Sequence, residues 1–143
     1  MRFSWNKSIV IFSITLIIMV GGFNASETNA EDKNTMQNLL GIWWTPDATD
    51  VPWSIQFNED GTFRTATTHL RLKKSPIDEG RFKLEGTSLT LISNKDCKGS
   101  CKGLKGRYKV VFTKFNKLLL KEQEDPCVQR REICCLPWVK VLK

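Results

Sequence analysis

The chain has a single histidine, an odd number of cysteines, and no apolar stretch long enough to cross a bilayer. Each shortage narrows the field. His69 is the one side chain that ordinarily titrates near neutral pH, and no Ser or Cys nucleophile stands at a diagnostic spacing from it. The carboxylates Asp60, Asp78 and Glu79 fall at turns instead of converging on it. No catalytic set is assigned, and nothing in the chain implies a cofactor. The longest apolar run, Ser8 to Val20, has thirteen residues, whereas a spanning helix takes about 20. Internal repeats and low-complexity tracts are missing. So is any alternation of strands with long helices, which excludes a parallel α/β fold.

What is present begins with a leader. Arg2 and Lys7 precede the thirteen-residue run and Gly21-Gly22 ends it, the arrangement of a signal peptide. Cleavage fits best after Ala30, where Thr28 supplies the small residue two positions earlier; bulky Phe23 makes Ala25 a weaker site. Residues 1–30 are therefore expected to be removed, leaving 31–143 as one domain, secreted or periplasmic. No Cys follows the run, which argues against a lipoprotein anchor. Loss of Arg2, Lys7 and Glu27 leaves 20 basic and 14 acidic side chains, so the net charge falls only from +7 to +6. A chain this short has a marginal core, and export allows disulfides to support it.

Asp32 to Leu40 reads as a short helical turn, with Thr35 placed to cap Met36 to Leu40, and Gly41 stops it. Beyond it the pattern is alternation, broken by turn residues every eight to twelve positions, which is the mark of antiparallel sheet. Trp53, Ile55 and Phe57 share a strand face, and Asn58-Glu59-Asp60-Gly61 turns the chain into a strand from Thr62 to about Leu70. Arg71 to Glu79, with Pro76, reads as a loop or poorly paired edge. Further strands centre on Phe82, Leu89, Tyr108 to Phe112, Leu118 and Trp138, with turns at Glu85-Gly86 and Phe115-Asn116. With Ile42 to Thr45 the count is about eight. Eight antiparallel strands close into an up-and-down barrel, so the expected class is all-β.

Gly41-x-Trp43 on the first strand, the Phe57-x-x-Asp60-Gly61-Thr62-Phe63 hairpin and the late Asp125-x-Cys127-x-x-Arg130 segment together resemble the lipocalin-like (calycin) barrels. The resemblance covers about Leu39 to Val139, and its nearest look is to the short secreted bacterial members. It implies that Trp43 lies at the closed end of the barrel and that Arg130 packs over it. A guanidinium on an indole contributes about 0.5–2 kcal/mol, and it would also bond carbonyls left free by the first turn.

Five cysteines allow at most two bridges within one molecule. Cys101 with Cys127 would close about twenty-six residues and contribute roughly 3–4 kcal/mol. Cys97 with Cys127 is an alternative, Cys97 with Cys134 or Cys135 could form a second bridge, and the sequence leaves the choice open. Four thiolates on one metal would need tighter paired spacing, so no metal site is assigned.

Two surfaces are candidates for function. If Phe57 and Phe63 face inward, parity places Thr65, Thr67 and His69 on the same inner face, and Tyr108 joins them from another strand. These four would orient a ligand in an apolar cleft. A one-residue slip would instead turn Ala66 and Leu70 inward. The second candidate is the stretch from Lys95 to Lys121, with nine Lys or Arg against one acid, Asp96. Lys98, Lys102, Lys105, Arg107 and Lys109 could hold an anionic lipid or acidic polymer, or else simply keep the protein soluble. Aromatics here sit at core parity, so a nucleic-acid stacking platform is not expected. The leading expectation is an exported carrier of a small hydrophobic or amphipathic molecule. The alternative is a protein-binding barrel with a filled interior, such as an envelope-hydrolase inhibitor or surface adhesion module. A barrel-pocket cyclase or isomerase ranks below both.

Overall fold

The computed structural model describes residues 35–45 and 51–142. The expected leader, 1–30, lies outside them. A helical turn, α1, occupies 35–39. Eight strands follow: β1 (Gly41–Trp44), β2 (Ser54–Phe57), β3 (Thr62–Ala66), β4 (Asp78–Glu85), β5 (Ser88–Ser93), β6 (Lys105–Phe112), β7 (Lys117–Glu124) and β8 (Trp138–Lys140). Each pairs antiparallel with the next, and β8 pairs with β1, so the sheet closes into a barrel as the alternation predicts.

Parity then sorts the side chains. Ile55, Phe57, Phe63, Phe82, Leu89, Leu91, Tyr108, Val110, Leu118, Leu120 and Trp138 are buried and belong to one continuous core, with Trp53, Leu84 and Phe112 packed against it. Phe57 faces Phe63 across β2 and β3, and Phe57 meets Phe82 edge-on with centroids 5.1 Å apart. Gly61 turns the β2–β3 hairpin at φ +78°, a conformation that glycine adopts without a Cβ penalty. Asp60 accepts from the Thr62 N–H (3.0 Å) and hydroxyl (2.6 Å), which fixes the turn.

Two helical segments were not expected. α2 (Arg71–Lys74) is one turn that buries Leu72 and packs against β2 and β3. α3 (Val128–Cys134) buries Arg130, Ile133 and Cys134. Pro126, the Cys residues and charged side chains break up the helical period of so short a segment. The loop expected from Arg71 to Glu79 is thus shorter, since β4 already begins at Asp78.

The barrel has two distinguishable ends. Strands alternate in direction, so β1 starts where β2 ends, and β4 starts beside the ends of β3 and β5. Trp43 lies toward the end marked by Phe112 and Lys140, its ring 6.1 Å from that of Phe112. The other end, marked by Asp78, Ser93, Leu104 and Asp125, carries Arg130.

Candidate functional site

Arg130 does not sit over Trp43. The cation above that indole is Lys140 of β8, 5.1 Å from the ring centroid, and its Nζ also donates to the Asn38 carbonyl at 2.9 Å. Trp43 itself donates from Nε1 to the Leu39 carbonyl at 2.7 Å, tying α1 to the barrel. The expected chemistry is present, a cation on an indole that also serves a carbonyl of the first turn. The residue differs because β8 pairs directly with β1, with Lys140 opposite Trp43. Gly41, at φ +115°, makes the turn from α1 into β1, and a Cβ there would touch the Lys140 side chain at 3.4 Å.

At the other end α3 delivers Arg130 into a polar knot. Its Nε and Nη2 donate to the two oxygens of Asp125 at 2.6 and 2.9 Å, a bidentate pair. Nη1 donates to Ser93 Oγ at 2.6 Å, and the Ser93 hydroxyl in turn donates to Asp78 Oδ2 at 2.8 Å. Nη1 and Nη2 both reach the Leu104 carbonyl, at 3.4 and 3.3 Å. Asp125 also accepts from the Tyr108 hydroxyl and from the Cys127 N–H. The pair lies directly on Gly106 of β6, where a Cβ would fall 2.2 Å from Asp125 Oδ2.

The electrostatics follow from one guanidinium and two carboxylates out of water. Burial raises Asp125, but hydrogen bonds from Arg130, Tyr108 and the Cys127 amide outweigh it and hold the carboxyl below its usual range. Asp78 goes the other way: burial dominates, and the more distant Arg130, 3.8 Å away, does not offset it. Burial and the neighbouring Asp125 keep the Tyr108 hydroxyl protonated. Cys134, beside that hydroxyl, is pushed up to about 12 by burial.

The four residues expected to contact a ligand are separated. Thr65 faces inward and is 2 % exposed, and its Oγ1 has no hydrogen-bond partner among the described residues. It stands opposite Asp78 in the β3–β4 register, and Asp78 Oδ1 likewise has no hydrogen-bond partner among the described residues. Tyr108 is inside, but Asp125 occupies its hydroxyl. Thr67 and His69 do not continue the inner face, because β3 ends at Ala66 and the chain bends away into α2. His69 is exposed and lines a shallow outer groove of about 400 Å³ with Trp44, Lys140, Val141 and Leu142.

Cys101 and Cys127 form a disulfide, their Cα atoms 5.2 Å apart. It ties the β5–β6 loop to the start of α3, and Ser100 reinforces the tie through Gln129 Oε1, at 3.0 Å from its hydroxyl. The bridge takes Cys101 out of the set Cys97, Cys101, Cys134 and Cys135 that a four-thiolate metal site would use. Cys97 and Cys134 are buried free thiols, and Cys135 is an exposed one at the end of α3. A disulfide is compatible with an oxidising compartment outside the cytosol.

The basic stretch resolves into a face. On the outside of the sheet, Arg81 lies opposite Ile92, and Ile92 opposite Lys105. Lys83, Thr90, Arg107 and Glu124 make the next row; Glu85, Ser88, Lys109 and Lys121 make a third. Lys83 pairs with Glu85, and Arg107 with Glu124. Among the described residues Arg81, Lys105, Lys109 and Lys121 make no ion pair. Lys109 directly faces Lys121, a like-charge placement that weakens a sheet. Lys98 and Lys102 extend the charge into the exposed loop beside Cys101.

No protein-family model, curated protein or solved structure matches this chain.

Proposed function

We propose that the protein is an exported, lipocalin-like barrel that works from its outer surface, holding an anionic partner of the cell envelope on the β4–β7 face. The observation that carries this reading is the Lys109–Lys121 pair. Two cations set side by side cost stability in the isolated protein, and an anion bridging them turns that repulsion into attraction. The interior supports the same choice. Side chains from all eight strands pack there as one core, and the polar groups at its Arg130 end are mostly engaged with each other. Within this reading the core, the disulfide and the Arg130 knot keep the sheet rigid, so the charges stay fixed in position. An adhesion module or inhibitor would use the same outer face, and its charge selects an acidic target. His69 and Thr67, outside the barrel, take no part in an internal site.

The test uses long-chain polyphosphate as a soluble probe. Binding should weaken steeply as salt rises from about 50 to about 200 mM, since exposed charges are screened over a Debye length of about 8–10 Å near physiological salt. Lys109→Gln with Lys121→Gln should weaken it about ten-fold at low salt, with an unchanged circular dichroism spectrum. Equal binding by wild type and this double variant would overturn the reading.

A further inference from the structure

The β6–β7 hairpin carries more than charge. Between Lys109 and Lys121 there are four lysines and no acid. Phe115, at its tip, is 85 % exposed. The tip is well made: Asn116 adopts φ +54°, the Thr113 N–H donates to the Lys117 carbonyl at 2.8 Å, and Thr113 Oγ1 accepts from the Phe115 and Lys117 N–H groups at 3.3 Å each. The phenyl ring is therefore presented to water on a fixed turn, with Lys114 beside it. Below the tip the outer face has a partly exposed apolar pair, Val111 opposite Leu119, and then the Lys109–Lys121 pair. Read outward, the hairpin goes from cations to an apolar band to an aromatic tip.

A soluble polyanion uses only the cations. An anionic bilayer uses every layer of this order: aromatic side chains settle at the membrane interface, and lysines nearby meet the headgroups. Strand rise of about 3.3 Å per residue puts the Lys109–Lys121 row roughly 7 Å from Val111 and Leu119, and interfacial elements bury about 5–10 Å deep. The neighbouring turns at this end of the barrel carry Glu59, Asp60 and Glu85, which an anionic surface repels, so the contact is confined to one hairpin. Resting on the outer-face reading above, we propose that the anionic partner is a lipid surface, with Phe115 inserted between headgroups and Lys109, Lys114 and Lys121 lying over them.

The experiment compares the protein isolated from expressing cells with Phe115→Ser and with Lys109→Gln/Lys121→Gln. Each is measured by sedimentation with vesicles of phosphatidylglycerol, with vesicles of phosphatidylcholine, and by titration with polyphosphate. The proposal expects binding to phosphatidylglycerol far above phosphatidylcholine. Phe115→Ser should lower phosphatidylglycerol affinity about ten-fold while polyphosphate affinity stays within two-fold; the lysine variant should lower both. If Phe115→Ser leaves vesicle affinity unchanged, or lowers polyphosphate binding equally, the insertion is refuted and the charged face stands. If the lysine variant changes neither probe, the face itself is refuted. Equal binding to both kinds of vesicle also overturns the proposal.

Discussion

Asp125→Asn, Arg130→Met and the two combined provide the sharpest perturbation of the polar knot. Both side chains are essentially out of solvent, at 0 % and 1 % exposure, so their pairing is not weakened by water. Removing one member of such a pair strands the other and typically costs about 3–5 kcal/mol. Asp125→Asn should fall at the low end, about 3 kcal/mol, because Arg130 keeps Ser93, the Leu104 carbonyl and a carboxylate 3.8 Å away in Asp78. Arg130→Met leaves Asp125 with the Tyr108 hydroxyl and the Cys127 N–H as donors, and should also cost about 3 kcal/mol. The double variant removes both charges together. It should cost about 3–4 kcal/mol instead of the sum, a coupling of about 2–3 kcal/mol. Urea unfolding at pH 7 with the disulfide intact measures all three. Additivity within about 0.5 kcal/mol, or a loss below about 1 kcal/mol for Asp125→Asn, would refute the knot as the chief constraint on α3.

Three further outcomes follow from the same interior. Thr65→Val keeps the shape and removes a buried hydroxyl that has no partner among the described residues, so unfolding should show about 1 kcal/mol of added stability; a loss of that size would mean the hydroxyl has a hidden partner. Asp78 has a folded pKa raised above its ordinary 3.8. Its ionisation therefore drains stability as pH rises from that value through the folded one, and Asp78→Asn should flatten this decline. Asp125, lowered, has the opposite sign: its contribution is present at neutral pH and lost in acid, so Asp78→Asn should leave the steep acid limb in place. In the native protein iodoacetamide at pH 8 should label Cys135 alone, with Cys97 and Cys134 reacting only after unfolding; mass spectrometry of the intact protein and its peptides reads the number and position of labels.

The closed sheet was legible because alternation and turn chemistry are local. Phe57, Phe63, Tyr108 and Val110 face inward by parity, and Asp60-Gly61 turns by backbone geometry. Parity fails where the strand stops, which is why Thr67 and His69 did not follow Thr65 inside. No local signal marked the end at Ala66, since α2 is a single turn. Trp43 and Arg130 were recognisable as special but not as separated. The tube closes through β8 against β1, and that pairing brings Lys140 to the indole, a contact 97 residues apart that no periodicity encodes. The cluster of lysines was plain in composition, but their assembly into facing pairs depends on the β6–β7 register. Of the open disulfide choices, Cys101 with Cys127 is the one that formed, because α3 begins just after Cys127 and packs over the β5–β6 loop.

The central claim is that binding happens outside the barrel. Amide and side-chain NMR signals of the isotope-labelled protein, followed while polyphosphate is added, test it most directly. The account predicts shifts concentrated at Arg81, Lys105, Lys109 and Lys121, with Phe57, Tyr108 and the Trp138 indole unmoved. Shifts centred on those interior groups, or scattered evenly over the surface, would contradict it.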